Sequence, residues 1–554
     1  MSILTNLQPQ LVWNYFEKLT QIPRESKHEE KVIEFMLNFA KEHKLSAKRD
    51  KAGNVLITKP ATPGMEKRKS VAFQAHLDMV CTANKDVKID FSKDPITPYI
   101  DGDWVKAKGT SLGADDGIGV AMCMAILTDN TIKHGPIECL FTVDEETGLT
   151  GAFALQKNFF ESKFLINLDS EEEGQIYIGC AGGIDLSANF TYFMENIPSD
   201  SVAFKFIVNG LKGGHSGDEI HKGLGNANKI SNRFLQLITE KYTARLADFD
   251  GGDRHNAIPR FADFIFTVKN KHVKNLKSDF NTFKKEIYGE YKNEKTDKDI
   301  NLELKSVDLP EFVIDMGTQL DLTNALYVCP NGVFAMSLDI EGLTETSTNL
   351  AVVKFKDEKG NLLPANKIED DFENDLAFDN PSDIYEDDIV YDNTCISSEE
   401  ITEPEFDDSD FAGFIENENG FAKTAGIKVV TSQRSSIESG KKDIHKMVKL
   451  AFEINNAEIS EGDGYPGWKP NPDSPLLKIA VDSYSRLFKK KPLVKAIHAG
   501  LECGLFLEKY KDLDMISIGP SLLGVHSPDE KIEIKTVQMC YDHILDIIKN
   551  IPEN

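Results

Sequence analysis

Ile137-Glu138-Cys139-Leu140-Phe141-Thr142-Val143 is a largely apolar run, and it stops on three acids in a row, Asp144-Glu145-Glu146. A short apolar run that ends abruptly on charge reads as a buried strand reaching one edge of a sheet. The same punctuation recurs along the first 185 residues. Val71–Ala75 stops on His76-Leu77-Asp78, and Phe164–Leu168 stops on Asp169. Asp115-Asp116 sits just before Gly117–Leu127, a small-residue stretch that fits a helix. Asn54–Ile57 reads as a further strand, Leu11–Leu19 is amphipathic, and Ser26 with Glu29 has the spacing of a capping box opening the next helix. Strands separated by helices predict an α/β sheet buried on both faces.

Outward from that core the pattern changes. From about Asp185 to Gly462, alternating runs at Val202–Val208, Ala262–Val268, Asn349–Phe355 and Ile427–Val430 predict a more open sheet, with a helix over Asn226–Lys241. After Tyr465-Pro466-Gly467 the buried-strand style returns at Leu493–Ile497 and Met515–Ile518, and a helix near Ile534–Ile551 closes the chain. The economical reading is one α/β domain built from both ends, residues 1–185 and 463–554, with a second domain, 186–462, inserted between them.

The formal net charge of the 554 residues is −27, but it is unevenly placed: Ile368 to Asn419 holds 20 acidic residues and no Lys or Arg. That stretch lies inside a segment of about residues 356–425, between two strand-like runs, and reads as a very long hairpin loop. An acidic chain repels phosphates, so no nucleic-acid partner is expected. No secretory signal and no apolar stretch of membrane-spanning length is visible, so no membrane partner is expected either. The eight cysteines are scattered without a C-x-x-C pair, which suits reduced thiols in a cytoplasmic protein.

The acids and histidines at the strand ends carry the chemistry. Ligands of open α/β sheets collect at the carboxyl ends of strands. His526, which follows the run Met515–Ile518, adds a second imidazole. Crowding so many carboxylates together without cations is unfavourable, so the pattern favours a metal. Mixed imidazole and carboxylate ligands suit zinc or manganese better than calcium. Asp78, two residues from His76, is placed to orient its ring.

Longer strings make the pattern specific. They are Ala75-His76-Leu77-Asp78-Met79-Val80, Leu112-Gly113-Ala114-Asp115-Asp116-Gly117-Ile118-Gly119 and Asp144-Glu145-Glu146-Thr147-Gly148-Leu149-Thr150-Gly151-Ala152. Further on come Gly213-Gly214-His215-Ser216-Gly217, Arg254-His255-Asn256-Ala257-Ile258-Pro259-Arg260, His498-Ala499-Gly500-Leu501-Glu502-Cys503-Gly504-Leu505-Phe506 and His526-Ser527-Pro528-Asp529-Glu530. In this order they resemble the two-metal metallopeptidase family that contains the aminoacyl-histidine (Xaa-His, peptidase D-like) dipeptidases. The resemblance spans nearly the whole chain, and the acidic loop is the main departure from it.

The resemblance implies a mixed-sheet α/β catalytic domain with an inserted α+β lid and dimerisation domain. It implies one metal on His76, Asp115 and Asp169, a second on Asp115, Glu146 and His526, and Asp115 as the bridge. Zinc is the expected ion, with manganese or cobalt able to serve. Glu145 is implied as general base with Asp78 in support, and Asp116 as a supporting residue at most. His215 is implied to reach the partner subunit's site in a homodimer and to stabilise the oxyanion, and Asn256 and Arg434 to hold the substrate's terminal carboxylate. Arg suits that task because its fork meets a carboxylate with two hydrogen bonds. The expected activity is hydrolysis of dipeptides, of Xaa-His type or broader. Two other readings compete: a related two-metal hydrolase of N-acyl amino acids, and a non-catalytic binding protein that uses the acidic loop.

Overall fold

The computed structural model describes residues 3–293, 295–356, 413–416, 422–462 and 464–553. Two large sheets organise it. The eight-stranded sheet runs, in spatial order, Ser46–Arg49, Val55–Lys59, Ile137–Thr142, Val71–His76, Phe164–Asn167, Asp514–Ser517, Gln175–Cys180 and Leu493–Ile497. Its central four strands are mutually parallel, and strands on either side pair antiparallel, so the sheet is mixed.

The middle strands are buried along their whole length, as their unbroken apolar runs require. Helices Gln10–Leu19, Ala114–Thr128 and Ile534–Asn550 contribute to the same core. Leu493–Ile497 departs from expectation: it is an edge strand, and Leu493 is exposed. Edge strands have only one neighbour, and the run of lysines just before it, Lys489-Lys490-Lys491, keeps that edge polar.

The second sheet has ten strands, all drawn from between Gly182 and Glu461, with antiparallel pairing throughout. Helix Ala227–Tyr242 covers it, and Asn226 caps that helix by accepting the N–H of Lys229. Phe206 is the hub of its core, stacked on Phe234 at 4.6 Å and beside Phe264 at 5.1 Å. Such ring pairs add about 0.5–1.5 kcal/mol each beyond the area they bury.

The hairpin flanking the acidic segment forms as expected, with Phe355 opposite Ile427 and Lys356 opposite Gly426. Most of the segment read as a loop, residues 357–412 and 417–421, lies outside the described residues. The boundary drawn at 425 is too late. Ile415 donates to the carbonyl of Met194, Phe414 packs against Phe193, and Thr424 and Ala425 already pair with Phe193 and Tyr192. A four-stranded sheet that the sequence did not signal, Pro98–Asp101, Trp104–Ala107, Leu522–Leu523 and Lys531–Glu533, flanks the loop bearing His526. No helix among the described residues is long and apolar enough to cross a membrane.

Candidate metal centre

Four parallel strands deliver their carboxyl ends to one edge. Val71–His76 ends on His76 itself; Asp169 lies two residues beyond Phe164–Asn167; Asp144 to Glu146 follow Ile137–Thr142. Helix Ala114–Thr128 starts at this edge, with Asp115 and Asp116 outside helical backbone angles at its mouth. The apolar strand interiors fix the sheet, and what is left over at the edge is polar.

His76 Nε2 lies 3.1 Å from Asp115 Oδ1 and 3.3 Å from Asp169 Oδ1. His526 Nε2 lies 3.1 Å from the other oxygen of Asp115, Oδ2, and 2.8 Å from Glu146 Oε2. The two oxygens of one carboxylate therefore face two different imidazoles. In each trio, His76–Asp115–Asp169 and Asp115–Glu146–His526, the candidate donor atoms lie within 4.8 Å of one another. Glu146 Oε1 is buried with no hydrogen-bond partner among the described residues.

The electrostatics of this crowd follow from burial and sign. Burial, with Asp169 and Glu146 adding to it and His76 opposing, pushes the Glu145 carboxyl well above its usual range. Burial pushes Asp169 up to about 7. Asp115 goes the other way, because its hydrogen bonds to His526 and His76 outweigh its burial. Asp115 and Glu146 push His526 up to about 11. Carboxylates that pull this hard on protons, beside two imidazoles and an unpartnered buried oxygen, form a donor set that fits divalent cations.

One local expectation is corrected. Ser26 and Glu29 do not form a capping box, since helix Glu30–Glu42 has no side-chain cap. Ser26 Oγ instead donates to Asp78 Oδ2 at 2.8 Å, and Glu29 Oε1 accepts the N–H of Asp144 at 2.9 Å. Glu145 and Glu146 stand beyond the strand that leads to them. The strand ends at Thr142, Asp144 turns the chain at φ 51°, and Glu145–Gly148 is a single helical turn. Both carboxylates stay at the centre, with ligand atoms within 4.8 Å of each other and of His76; Glu146 also meets His526, and both line the cleft.

Asp78 does more than its spacing suggested. It lies 3.4 Å from His76 Nδ1, and its two oxygens accept the N–H groups of Glu145 at 3.1 Å and Glu146 at 3.2 Å. One buried carboxylate thus stands beside the imidazole and pins the Glu145–Glu146 turn. Glu29, Asp78 and Asp144 also come close enough to suggest a further cation site. Their oxygens are engaged instead by Ser26, Thr147, Thr150 and backbone N–H groups, so the trio is a hydrogen-bonded support.

The centre opens into a cleft of 880 Å³, whose walls include Glu145, Asp169, Tyr177, Asp218, His498 and His526. Arg434, buried on strand Thr424–Ser435, donates through Nη1 to the Tyr465 hydroxyl at 2.9 Å and keeps Nε without a partner among the described residues. His498, whose Nε2 is 2.7 Å from Ser347 Oγ, is pushed down to about 3 by burial and by Arg434. His215 and Asn256 are placed differently. They line a separate cavity of 810 Å³, on two short paired strands, Gly214–His215 and Ala257–Ile258, and the bend beside them. Within one chain the structure does not bring them to the metal trios.

Glu502 belongs to the packing beneath the site and not to the cleft wall. It is fully buried and accepts from Gln74 at 2.6 Å and Thr142 at 2.8 Å, under the strand ends. Burial pushes its carboxyl up to about 8. Arg24 and Glu530, both buried, were given no role by the sequence, although Glu530 stands four residues after His526.

Comparison with known proteins identifies the family. The model for "Peptidase family M20/M25/M40" matches residues 72–550. The chain is 41% identical over 554 residues to the cytosol non-specific dipeptidase of Escherichia coli, covering 100% of both proteins. Among solved structures it matches the aminoacylhistidine dipeptidase of Vibrio alginolyticus at 38% identity with a TM-score of 0.82, covering 100% of this chain and 99% of that one. The aminopeptidase PepT of Bacillus cereus matches at 15% identity and a TM-score of 0.56 over 98% of this chain and 99% of that one, a likeness of fold.

Proposed function

The chain belongs to peptidase family M20/M25/M40, and from that premise we propose that it is a two-metal dipeptidase, of broad or Xaa-His specificity, with zinc in first place and manganese or cobalt as substitutes. The observation that carries the reading is Asp115, whose two oxygens face His76 and His526 separately. His76, Asp115 and Asp169 would hold one ion, and Asp115, Glu146 and His526 the other. Ions held there would lower the pKa of a bound water and polarise the scissile carbonyl.

The chain's own residues do the rest. Glu145, beside the trios but outside both, takes the water's proton and delivers it to the leaving amine. Asp78 fixes the direction of His76 and the turn that presents Glu145. Arg434 and Asn256 hold the terminal carboxylate, and His215 faces the developing oxyanion. Because His215 and Asn256 stand away from the trios of their own chain, the reading includes a homodimer through the inserted domain, in which a second copy supplies them. Residues 1–185 with 463–554 then form the catalytic domain and 186–462 the lid and dimerisation domain, in a cytoplasmic enzyme.

The test is a panel of free dipeptides, with and without C-terminal His, beside their N-acetylated counterparts, run on protein reconstituted with Zn2+. Hydrolysis of the free dipeptides alone is expected. Preference for the N-acylated set would instead support the deacylase.

A further inference from the structure

We propose that Glu530 is a positioning residue that joins the His526 and Asp115 loops into one unit, and so governs the affinity of the metal position formed by Asp115, Glu146 and His526. The proposal rests on the two-metal reading above. Glu530 is only 2% exposed. Its Oε2 accepts the N–H groups of Leu112 at 2.7 Å and Gly113 at 2.9 Å. Its Oε1 accepts those of Ala114 at 2.7 Å and Asp115 at 3.3 Å. Four consecutive backbone donors, ending on the bridging aspartate, converge on one carboxylate.

The first N–H groups of a helix have no partner inside it and are commonly capped by a residue just before it. Asp116 fills that role here, accepting the N–H of Gly119 at 3.1 Å, because Asp115 and Asp116 break the helical angles of Ala114–Thr128. The N–H groups of Leu112 to Asp115 lie on the turn before it, and the acceptor that gathers them comes from 415 residues further along the sequence than Asp115. It comes from the very loop that carries His526, four residues upstream. Hydrogen bonds to an ionised acceptor are shorter and stronger than neutral ones, so the tie is a firm one. His526 itself sits at φ 63°, a region that residues bearing a β-carbon avoid, so its loop needs an anchor to stay there.

The opposite face of the same peptide is gripped as well. Arg24 donates to the carbonyl of Gly113, and also to those of Leu77 at 3.0 Å and Asp78 at 2.7 Å, just past His76. Gly113, at φ 70°, leaves no room for a side chain: a Cβ there would stand 2.5 Å from Arg24 Nη2 and 2.7 Å from Met79 Sδ. Arg24 therefore relates Asp115 to His76, while Glu530 relates Asp115 to His526. The two ligand trios share a bridge but have separate supports, and removing one support should loosen one trio.

The experiment uses the full-length, chelator-stripped protein titrated with Co2+, following d–d absorption and competition with a chelator. Wild type, Glu530→Gln and Glu530→Asp are compared, alone and with His526→Ala. Gln keeps the size of Glu but turns an amide donor toward two N–H donors. Loss of an outer-sphere support costs about 10–100-fold in metal affinity. One of the two Co2+ binding steps of Glu530→Gln should weaken by about that factor while the other stays put, with an altered d–d spectrum. Glu530→Asp should recover part of the loss, and carries the test alone if the Gln variant does not fold. In the His526→Ala background the Glu530 substitution should add little, because the ligand it positions is gone. Equal weakening of both steps, no weakening of either, or full additivity with His526→Ala would overturn the proposal, whatever happens to the melting temperature of the apo protein. If wild type binds fewer than two Co2+, the two-metal reading fails first and takes the proposal with it.

Discussion

The edge of the eight-stranded sheet and the cavity beside Gly214–His215 hold the two halves of the proposed site, and they are built in opposite ways. At the sheet edge five candidate ligands converge from five separate segments of one chain, each within reach of another. Around His215 the candidates make local contacts: the His215 ring lies 3.4 Å from Asp218 and accepts its N–H, the His215 N–H is donated to Glu219, and Asn256 serves the local turn by accepting the N–H of Ser216 through its carbonyl. The first region gathers its candidates within one chain, and the second stands off from them. On the proposed reading, ion binding is local to the catalytic sheet, while oxyanion stabilisation and part of substrate capture call for a second copy.

The sharpest way to break that contrast is to remove the residue on which both trios depend. Asp115→Ala should release both ions together and abolish peptide hydrolysis, read by metal analysis of the dialysed protein. Retention of two tightly bound ions would show that the trios stand without the bridge. Glu145→Gln comes next. It should leave metal content nearly unchanged while lowering kcat by at least about 10²–10⁴-fold, the range that general bases supply. A near-normal kcat would remove Glu145 from the role of base.

These two outcomes concern the region that was most legible in the sequence. Runs such as Val71–Ala75 and Phe164–Leu168 announced buried strands, and a polar residue on the end of such a run has few places to be except the sheet edge. That pattern pointed to a metal at the edge, and the family resemblance supplied the division into two trios. The supports were not legible, because they act through backbone groups. Ser26 looked like a cap and is a donor to Asp78; Glu530 drew no notice and gathers the backbone N–H groups of the turn that ends on Asp115, 415 residues away. Nothing in local spacing reports which N–H a carboxylate will accept. The four-stranded sheet around His526 was missed for a related reason: its strands are two to four residues long, too short to show a period. His215 and Asn256 were carried by family resemblance alone, and one chain's structure leaves them away from the trios.

A mixing experiment sharpens the difference between the regions. His215→Ala and Glu145→Gln homodimers should each be nearly inactive. If His215 acts across the interface, a mixed dimer regains one site with both residues intact, approaching half of wild-type activity per mixed dimer. No recovery after verified subunit exchange would confine His215 to its own chain. The smallest effect is expected from the acidic segment. Replacing residues 357–412 by a short turn should leave melting and kcat/KM on neutral dipeptides close to wild type. The hairpin strands on either side already pair at Lys356 and Gly426, and closure entropy changes by only about 0.6 kcal/mol per doubling of loop length. Residues 413–416 are kept in that variant because Phe414 and Ile415 pack on the strand Gly182–Glu195. A selective gain on acidic dipeptides would reveal the loop as an electrostatic gate.

The most direct test of the central claim is a titration of the chelator-stripped protein with Zn2+, in which bound metal and hydrolysis of a free dipeptide are followed in the same sample. The account predicts two ions per chain, with full activity reached only as the second position fills, and with Asp115→Ala silent across the whole titration. Full activity in the stripped protein, or a plateau at one ion per chain with the second position never occupied, would contradict it.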